Sequence, residues 1–270
     1  MKAPEELAEI FNGKIDKIQL INKGYGADCY LILSNNKEFL AKKFDKPEKR
    51  EEENEAILKL SNVKVDGIAT PEIEKSQGKW LVTRYQKGKR FYPFIFSNKN
   101  REIVIDIFKK IGEYLALFHS KYYKKNNENG EPISVVHGDL NQKNIIFLKN
   151  KTVFIFDPWG KEDSVYCDLA VFILNLFPLN FFYEIKIKKN RNEWLSAFLE
   201  GYLEKKQFNI DEKLLSFKIK DKLIRIRDHY FSKAISYRIK KYFINIYINN
   251  LVKKINNGKI QIKVHGRLPE

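Results

Sequence analysis

Cysteine is nearly absent from this chain, which has only Cys29 and Cys167 among its 270 residues. The two lie far apart in the sequence and do not have the spacing of metal ligands. A disulfide framework is therefore excluded, and a reducing compartment is favoured.

A long apolar segment is also missing. The N-terminal stretch "MKAPEELAEIF" contains no apolar core of a secretory signal. The longest apolar run, "LAVFILNLFPLNFFY" from Leu169, is interrupted by Asn175, Pro178 and Asn180. It is shorter than the roughly 20 residues that span a bilayer, so a buried helix is the better interpretation. The sequence predicts a soluble, cytoplasmic protein.

Basic residues outnumber acidic residues, and the net charge is +16. Residues 201–270 contain 17 Lys and Arg against 6 Asp and Glu, so the excess is concentrated at the C-terminal end. This concentration favours a surface that faces an anionic ligand, a nucleic acid or a membrane. The alternative is a solvated helix face that only aids solubility.

The first third of the chain has the patterns of strands. Three segments with β-branched or aromatic residues lie within residues 15–45, and "SNNK" (34–37) between the last two is typical of a hairpin. "KPEKREEENEAILKLSNV", from Lys46, begins with proline and acidic residues and predicts a helix. Two further strands are predicted around "ATPEIEKS" and "KWLVTRY".

Helical patterns follow. "NREIVIDIFKKIGEYLALFHSKYY", from Asn100, has the apolar spacing of a long helix, and helices are predicted from Asp168 to about Val252, with breaks near Pro178 and at "FNIDE". Strands followed by helices predict an α+β chain with two lobes and a cleft between them. We place the N-terminal lobe at residues 1–86 and the C-terminal lobe at residues 87–270.

One polar cluster lies among buried-looking strands. "VVHGDLNQKNIIFLKNKTVFIFDPWG" (135–160) contains His137, Asp139, Asn144 and Asp157, which are costly to bury unless a charged group lies among them. An antiparallel strand pair turning at "KNKT" would return Asp157 to the loop that carries Asp139 and Asn144. Oxygen ligands without cysteine or a second histidine suit magnesium and not zinc. Phosphoryl transfer needs a carboxylate that orients the attacking hydroxyl and oxygen ligands that hold Mg²⁺, and this cluster offers both.

These motifs resemble the aminoglycoside phosphotransferase and choline kinase branch of the protein-kinase-like fold. "HGDLNQKN" resembles its catalytic loop, "FIFDPWG" its metal-binding strand end, "YCDLAVFI" its Y-x-D-L-A motif and "LALFHS" the end of its long helix. The resemblance covers most of residues 18–205. It implies a bilobal kinase that uses ATP and Mg²⁺.

The resemblance implies roles for five residues of the second lobe. Asp139 would be the catalytic aspartate, which orients the acceptor hydroxyl or accepts its proton. Asn144 and Asp157 would hold Mg²⁺. His137 would brace the catalytic loop, and Asp168 would anchor that loop from the following helix.

In the first lobe, the resemblance implies that Lys42 contacts the α- and β-phosphates and that Glu55 is its helix partner. "NKGYGA" would be the loop over the phosphates, where Gly24 and Gly26 permit close backbone approach. "TRYQKG", with Arg84 and Gln86, would be the hinge whose backbone meets the adenine.

Two of these assignments have competitors in the sequence. Lys43 competes with Lys42, because strand alternation directs only one of them inward. Glu52 and Glu53 compete with Glu55, or could form a solvated acidic first turn.

The acceptor is predicted to be a small molecule with a hydroxyl group. Ten residues separate Asp157 from Asp168, whereas protein kinases, by the same resemblance, need a much longer segment there to dock a peptide. Lys218, Lys222 and Arg225 recur on one predicted helix face, and Arg238, Lys240 and Lys241 follow. A basic pocket would repel a polycation, so a neutral or anionic acceptor is favoured over an aminoglycoside.

Two other interpretations compete with a kinase. A pseudokinase would keep the fold and bind a nucleotide without turnover. A nucleic-acid or membrane-surface binder would use the basic C-terminal helices, and its nucleic-acid binding would weaken steeply with salt. Neither explains why Asp139, Asn144 and Asp157 occur together, so no obligate nucleic-acid partner is expected.

Overall fold

An antiparallel sheet forms the first part of the molecule and helices form most of the rest, which confirms the predicted α+β class. The structure is a computed structural model, and it describes residues 4–23, 26–97, 100–177 and 181–232. Among these residues, every helix is too short or too polar to cross a bilayer.

The first part consists of two helices and six strands. Strands β1, β2, β3, β6 and β5 form, in that order, an antiparallel five-stranded sheet. In chain order the elements are α1 (Glu5–Ile10), β1 (Lys17–Lys23), β2 (Ala27–Ser34), β3 (Lys37–Phe44), α2 (Pro47–Ser61), β4 (Ile68–Ala69), β5 (Ile73–Gln77) and β6 (Trp80–Arg84). The predicted three strands, helix and two strands correspond to β1–β3, α2, β5 and β6, and α1 and the two-residue β4 are additional.

The β2–β3 hairpin turns at the predicted position. Asn35 and Asn36 have φ angles of 49° and 59°, the left-handed values that a two-residue type I′ turn needs and that asparagine tolerates. The turn sets the register of the pair, so that Cys29 lies opposite Lys42.

Helix α1 covers the outer face of the sheet, and the sequence motifs had not indicated it. Leu7 and Ile10 pack against a buried cluster that includes Phe39 and Trp80. The indole N–H of Trp80 also donates to Glu6 at 2.8 Å. The opposite face of the sheet is therefore the one left for a ligand.

The second part contains six helices and six short strands among its described residues. The long helix predicted from Asn100 and the break at "FNIDE" are confirmed, and Lys189–Asn190 adds a further interruption. The predicted helix beyond residue 232 and the break at Pro178 lie outside the described residues. The elements are β7 (Lys89–Arg90), α3 (Phe91–Ser97), α4 (Arg101–Lys121), β8 (Lys125–Asn126), β9 (Pro132–Val135), β10 (Ile145–Phe147), β11 (Val153–Ile155), β12 (Glu162–Ser164), α5 (Tyr166–Leu174), α6 (Phe181–Lys188), α7 (Arg191–Lys205) and α8 (Glu212–Ser232).

Helices α4 and α7 pack with their backbones in contact. A Cβ on Gly112 would lie 2.1 Å from the carbonyl oxygen of Phe198, and one on Gly201 would lie 2.1 Å from that of Lys109. Glycine is therefore needed at both positions. The interface anchors the helical core, in which the predicted buried helix α5 also lies.

Two short sheets of the second part hold the polar cluster in position. β10 pairs antiparallel with β11, with Ile145 opposite Ile155, and the N–H of Phe156 donates to the carbonyl of Asn144 at 3.1 Å. This is the predicted return of Asp157 to the loop. β12 pairs with β9, on the other side of that loop. The division into lobes at residue 86 remains a prediction.

Candidate active site

The Asp139 carboxylate is held on both oxygens by amide side chains. Nδ2 of Asn141 donates to Oδ1 at 2.5 Å, and Nδ2 of Asn144 donates to Oδ2 at 3.0 Å and to the backbone oxygen of Asp139 at 2.9 Å. Burial raises the pKa of Asp139 above its ordinary value, although both amides favour the charged form. The carboxylate is thus oriented and made more basic.

Asp168 lies at the N-terminal end of α5, fully buried, and holds the start of the loop. Its Oδ1 accepts from the N–H of Gly138 at 2.7 Å, and its Oδ2 accepts from the N–H of His137 at 2.6 Å and from Nε2 of His119 at 3.0 Å. Burial opposes its ionisation, but these donors and the nearby histidines outweigh burial and lower its pKa.

His137 is a fully buried part of the same loop. Its Nε2 donates to the carbonyl of Phe156 at 3.1 Å, while Nδ1 faces the N–H of Asp139 at 3.4 Å. Burial lowers its pKa, more than the nearby carboxylates raise it, so the ring is neutral. The imidazole thereby connects the Asp139 loop to the strand end that precedes Asp157.

Asp157 has a left-handed backbone, with φ of 64°, directly before Pro158. Aspartate tolerates this region better than most residues do, yet the conformation stores strain of about 1–3 kcal/mol. Its carboxylate forms an ion pair with Lys42 and remains 45% exposed, open to the cleft.

Lys42, and not Lys43, faces the cleft. Nζ of Lys42 lies 2.5 Å from Oε1 of Glu53 and also pairs with Asp157. Burial alone would lower the pKa of Lys42, but the two carboxylates outweigh burial and raise it. Lys43 points to the other face of the sheet, where it meets Glu6 at 3.4 Å and lies over Trp80.

The predicted partner of Lys42 was wrong. Glu55 is 69% exposed and reaches Lys59 at 3.8 Å, whereas Glu53 is 15% exposed and meets Lys42. Two residues turn a helix by about 200°, so both cannot face the same side. The buried residues Ala56, Ile57 and Leu60 follow Glu53 at spacings of three, four and seven, which is the signal that could have identified it.

Helix α2 rests directly on the turn that follows Asp157. Gly160 has φ of 63°, and a Cβ there would lie 2.3 Å from Cβ of Ala56. Because Ala56 is one turn from Glu53, this contact sets how close α2 comes to Lys42.

A first cavity, of about 210 Å³, lies between β3, β6, β10 and β11 and is called the inner cavity. Most of its walls are apolar, and Thr83, Tyr85 and Gln86 follow one edge, with Lys42 and Asp157 at one end. The side chain of Arg84 pairs with Glu74, away from the inner cavity, so only its backbone can contribute there. Residues that line the inner cavity include Leu40, Ile57, Pro71, Leu81, Ile146, Phe154 and Phe156.

The outer cavity, of about 950 Å³, adjoins the inner cavity through Lys42 and Asp157 and is rich in cations. Gly26, with φ of 123°, lies on its rim, and a Cβ there would be 3.4 Å from Nζ of Lys49. Gly24 lies outside the described residues. The cationic side chains beyond Lys42 are Lys49, Arg90, Lys143 and Lys161, none of which the sequence motifs had singled out.

A third cavity, of about 270 Å³, lies on the other side of the loop and is called the Asp139 cavity. Lys222 of α8 lines it, whereas its predicted companions are engaged elsewhere: Lys218 with Glu131 at 3.0 Å and Arg225 with Asp221 at 2.8 Å. The predicted cations at 238, 240 and 241 lie outside the described residues.

The oxygen donors near Lys42 fit a magnesium ion that is shared with phosphates. Nδ2 of Asn144 is used on Asp139, which leaves its Oδ1 as a ligand atom, and Asp157 offers a half-exposed carboxylate. Within the described ranges, no group of three or more His, Cys, Asp or Glu could hold a metal alone. Mg²⁺ needs no such group, because it binds through one or two carboxylates together with substrate phosphates and water.

Two further polar residues of the site were not indicated by the sequence motifs. The His119 ring contacts both Asp168, at 3.0 Å, and the hydroxyl of Tyr202, at 2.8 Å. Asn175 accepts from the N–H of Gln142 at 3.0 Å and donates to the carbonyl of Leu140 at 3.2 Å. An asparagine inside an apolar run needs polar partners, and this was the available signal.

The chain has the protein-kinase-like fold of the aminoglycoside phosphotransferases and choline kinases. Among similar solved structures, amicoumacin kinase with AMP-PNP and Ca²⁺ has 13% sequence identity and a TM-score of 0.60, covering 97% of this chain and 95% of its own. The choline kinase LicA from Streptococcus pneumoniae has 14% identity and a TM-score of 0.58, covering 94% and 98%.

Spectinomycin phosphotransferase with ADP and spectinomycin has 12% identity and a TM-score of 0.59, covering 96% of this chain and 99% of its own. At these identities the likeness shows the fold alone. No protein-family model matches the sequence, and no curated protein matches it.

Proposed function

We propose that this protein is an ATP-dependent kinase that transfers the γ-phosphate to a hydroxyl group of a small molecule. The observation that carries the proposal is the position of Asp139. Its oriented carboxylate lines the Asp139 cavity, Asp157 and Lys42 line the outer cavity, and Asn144 of the same loop contacts the Asp139 carboxylate. An acceptor and a nucleotide can therefore meet across this loop.

Asp139 orients the acceptor hydroxyl and takes its proton. The acceptor oxygen forms a bond to the γ-phosphorus as the bond between that phosphorus and the β,γ-bridging oxygen breaks, and ADP leaves with the bridging oxygen. The raised pKa of Asp139 suits proton acceptance. Asp168, His119 and His137 keep the loop in place.

The nucleotide lies in the inner and outer cavities. The apolar walls of the inner cavity and the backbone of Arg84–Gln86 hold the adenine, and Lys42, fixed by Glu53, meets the phosphates. Gly26 lies on the rim of the outer cavity, where its backbone can approach them. Lys49 and Lys143 add positive charge on the phosphate side.

Asn144 and Asp157 would hold Mg²⁺, which supplies neutralisation of phosphate charge when bound. Asp157 also pairs with Lys42, which brings the lysine next to the position where the phosphates and the metal would meet.

A small acceptor is favoured over a peptide. The ten residues between Asp157 and Asp168 include β12, whose pairing with β9 leaves no extended platform in this segment. A neutral or anionic acceptor is favoured over a polycation, because α8 brings Lys222 to the Asp139 cavity.

The test is phosphate transfer from ATP and Mg²⁺ to a panel of acceptors: aminoglycosides, choline, neutral sugars and anionic sugars. The Asp139→Asn variant runs beside the unaltered protein. We expect transfer to one class of acceptor and a loss of about 10²–10⁴-fold in the variant. The variant keeps one of the two amide contacts, because its own amide nitrogen would face the Nδ2 donor of Asn141 or Asn144 at the other. A modest loss of thermal stability is therefore expected, while nucleotide affinity should change little.

Two outcomes would contradict the proposal. Nucleotide binding without transfer to any acceptor would support a nucleotide-binding module without turnover. Failure to bind ATP would exclude a role for the inner cavity in nucleotide recognition.

A further inference from the structure

We infer that the Asp139 cavity binds the anionic group of the hydroxyl-bearing acceptor and that Lys222 of α8 makes this contact. The inference rests on the proposed kinase function and names the class of its acceptor. It follows from which polar groups in the cavity remain unused.

Among the described residues, the lining of the Asp139 cavity has one carboxylate and one cation. The carboxylate is that of Asp139, and the cation is the ammonium group of Lys222. The volume of about 270 Å³ lies just below the range of roughly 300–1,000 Å³ that is typical of drug-sized ligands, so the bound part is of monosaccharide size.

The other polar groups of the cavity wall are largely committed to the protein. Both ends of the Asn175 amide hold the loop, and the hydroxyl of Tyr92 donates to the carbonyl of Asn175 at 2.8 Å. Asn141 donates to Asp139, and its Oδ1 accepts from the N–H of Lys143 at 2.8 Å. These groups shape the cavity and leave ligand recognition to other side chains.

Lys222 and the side-chain amide of Gln142 are the exceptions in the described lining, and Lys222 is the charged one. In the part of the chain that the structure describes, no carboxylate lies within ion-pair distance of its ammonium group. Its neighbour Asp221 is engaged by Arg225, and Lys218 is engaged by Glu131. A half-buried ammonium group beside apolar walls is stabilised by an anion, and the cavity offers space for one.

Charge also argues against a cationic acceptor. In the described lining, Asp139 is the carboxylate that could receive a cation, and a cation held there would occupy the oxygens that must receive the hydroxyl proton. Lys222 would repel the same ligand. An acceptor with a carboxylate or phosphate at one end and a hydroxyl at the other satisfies both side chains.

The experiment uses three pyranoses with one scaffold: glucuronate, glucose and glucosamine. Transfer from ATP is measured as kcat/KM, and glucuronate binding is measured by calorimetry with the unreactive analogue AMP-PNP and Mg²⁺ present. The variants are Lys222→Gln and Lys222→Glu, and Lys213→Gln is the matched control, because it removes one charge from an exposed position of the same helix.

The unaltered protein should prefer glucuronate over glucosamine by tenfold or more. Lys222→Gln should lose roughly 10- to 100-fold for glucuronate, the range of a charge-assisted hydrogen bond, and under threefold for glucose. Lys222→Glu should lose more for glucuronate, and Lys213→Gln should keep the original preference.

Each contrary result has a distinct meaning. Preferred transfer to glucosamine, or an unchanged preference in Lys222→Gln, would overturn the anionic acceptor and leave the kinase standing. Calorimetric binding of glucuronate that depends on Lys222, with no transfer to any pyranose, would support the anion site and contradict the kinase. No glucuronate binding would overturn the anion site.

Discussion

Nζ of Lys42 lies 2.5 Å from Oε1 of Glu53, while Glu55 faces the solvent on the same helix. We expect Glu53→Gln to weaken MgATP binding and to lower kcat/KM for ATP about tenfold or more, because the lysine loses the charge that positions it. Equilibrium nucleotide binding and steady-state kinetics measure both effects.

Glu55→Gln is the matched control for this prediction. It removes the same charge from the same helix at an exposed position, whose ion-pair partner Lys59 lies 3.8 Å away. The control should stay within about twofold of the unaltered protein. Equal losses in the two variants would show that total helix charge matters and that the Lys42 contact does not.

Local patterns in the sequence determine much of the first lobe. The two asparagines at 35 and 36 determine the hairpin turn. Strand alternation directs only one of Lys42 and Lys43 into the cleft, and the resemblance correctly selected Lys42. The spacing of Glu53 from Ala56 and Leu60 could have identified it as the inward-facing glutamate. Four of the five residues 51–55 are glutamates, however, and this obscured the pattern.

Contacts between distant elements could not be predicted in the same way. His119 meets Asp168 across 49 residues, and Asn175 meets the loop at Gln142 across 33. Periodicity tells which face of a helix is buried, but it does not tell which neighbouring element the face meets. The Lys222 side chain reaches the Asp139 cavity through such packing of α8 on α5.

The contact between Gly160 and Ala56 leads to a second prediction. Gly160→Ala should push α2 away from Lys42 and lower both stability and kcat/KM, because the added methyl would overlap Ala56 and the backbone has φ of 63°. We expect a loss of about 1–3 kcal/mol in the free energy of unfolding.

The double variant Gly160→Ala with Ala56→Gly tests the contact between the two methyl groups. Removing the methyl of Ala56 removes the 2.3 Å overlap, but the added Cβ would still lie 2.8 Å from the Cα of residue 56 and the backbone strain would remain. We therefore expect kcat/KM to recover in part, and no recovery at all would show that the Ala56 methyl does not set the position of α2.

Stability should depend on pH through His137. Its pKa in the folded protein is lowered by burial, so the unfolded chain takes up a proton first as the pH falls below about 6.5. The contribution of His137 is therefore complete above that pH and decreases below it, by at most about 1.4 kcal/mol per pH unit. Chemical denaturation between pH 7.5 and 5.5 measures the slope.

His137→Gln should flatten this dependence. Glutamine can still donate to the carbonyl of Phe156, so the variant should fold, although with lower stability at pH 7.5. Asp168, whose pKa is lowered, contributes stability that is lost only as the pH falls below about 3.8, outside this window. An identical slope in the variant would assign the dependence to another group.

The interface between α4 and α7 predicts a large effect of one methyl group. Gly112→Ala should destabilise the protein by about 1–3 kcal/mol, although alanine favours helices, because its Cβ would overlap the carbonyl of Phe198. Ser196→Ala, at an exposed position of α7, should change stability by about 0.5 kcal/mol or less. Urea denaturation compares them, and a neutral Gly112→Ala would mean that the helices can separate without cost.

Strand β12 pairs antiparallel with β9, the strand that leads into the Asp139 loop. The backbone N–H of Val136 donates to the carbonyl of Lys161 at 2.9 Å, and that of Trp159 donates to the carbonyl of His137 at 2.7 Å. The segment after Asp157 is therefore paired along most of its length. Because the segment is already paired, phosphorylation is not needed to order it. We expect phosphatase treatment of the purified protein to leave its turnover unchanged. The concentrations of nucleotide and acceptor would then control the rate.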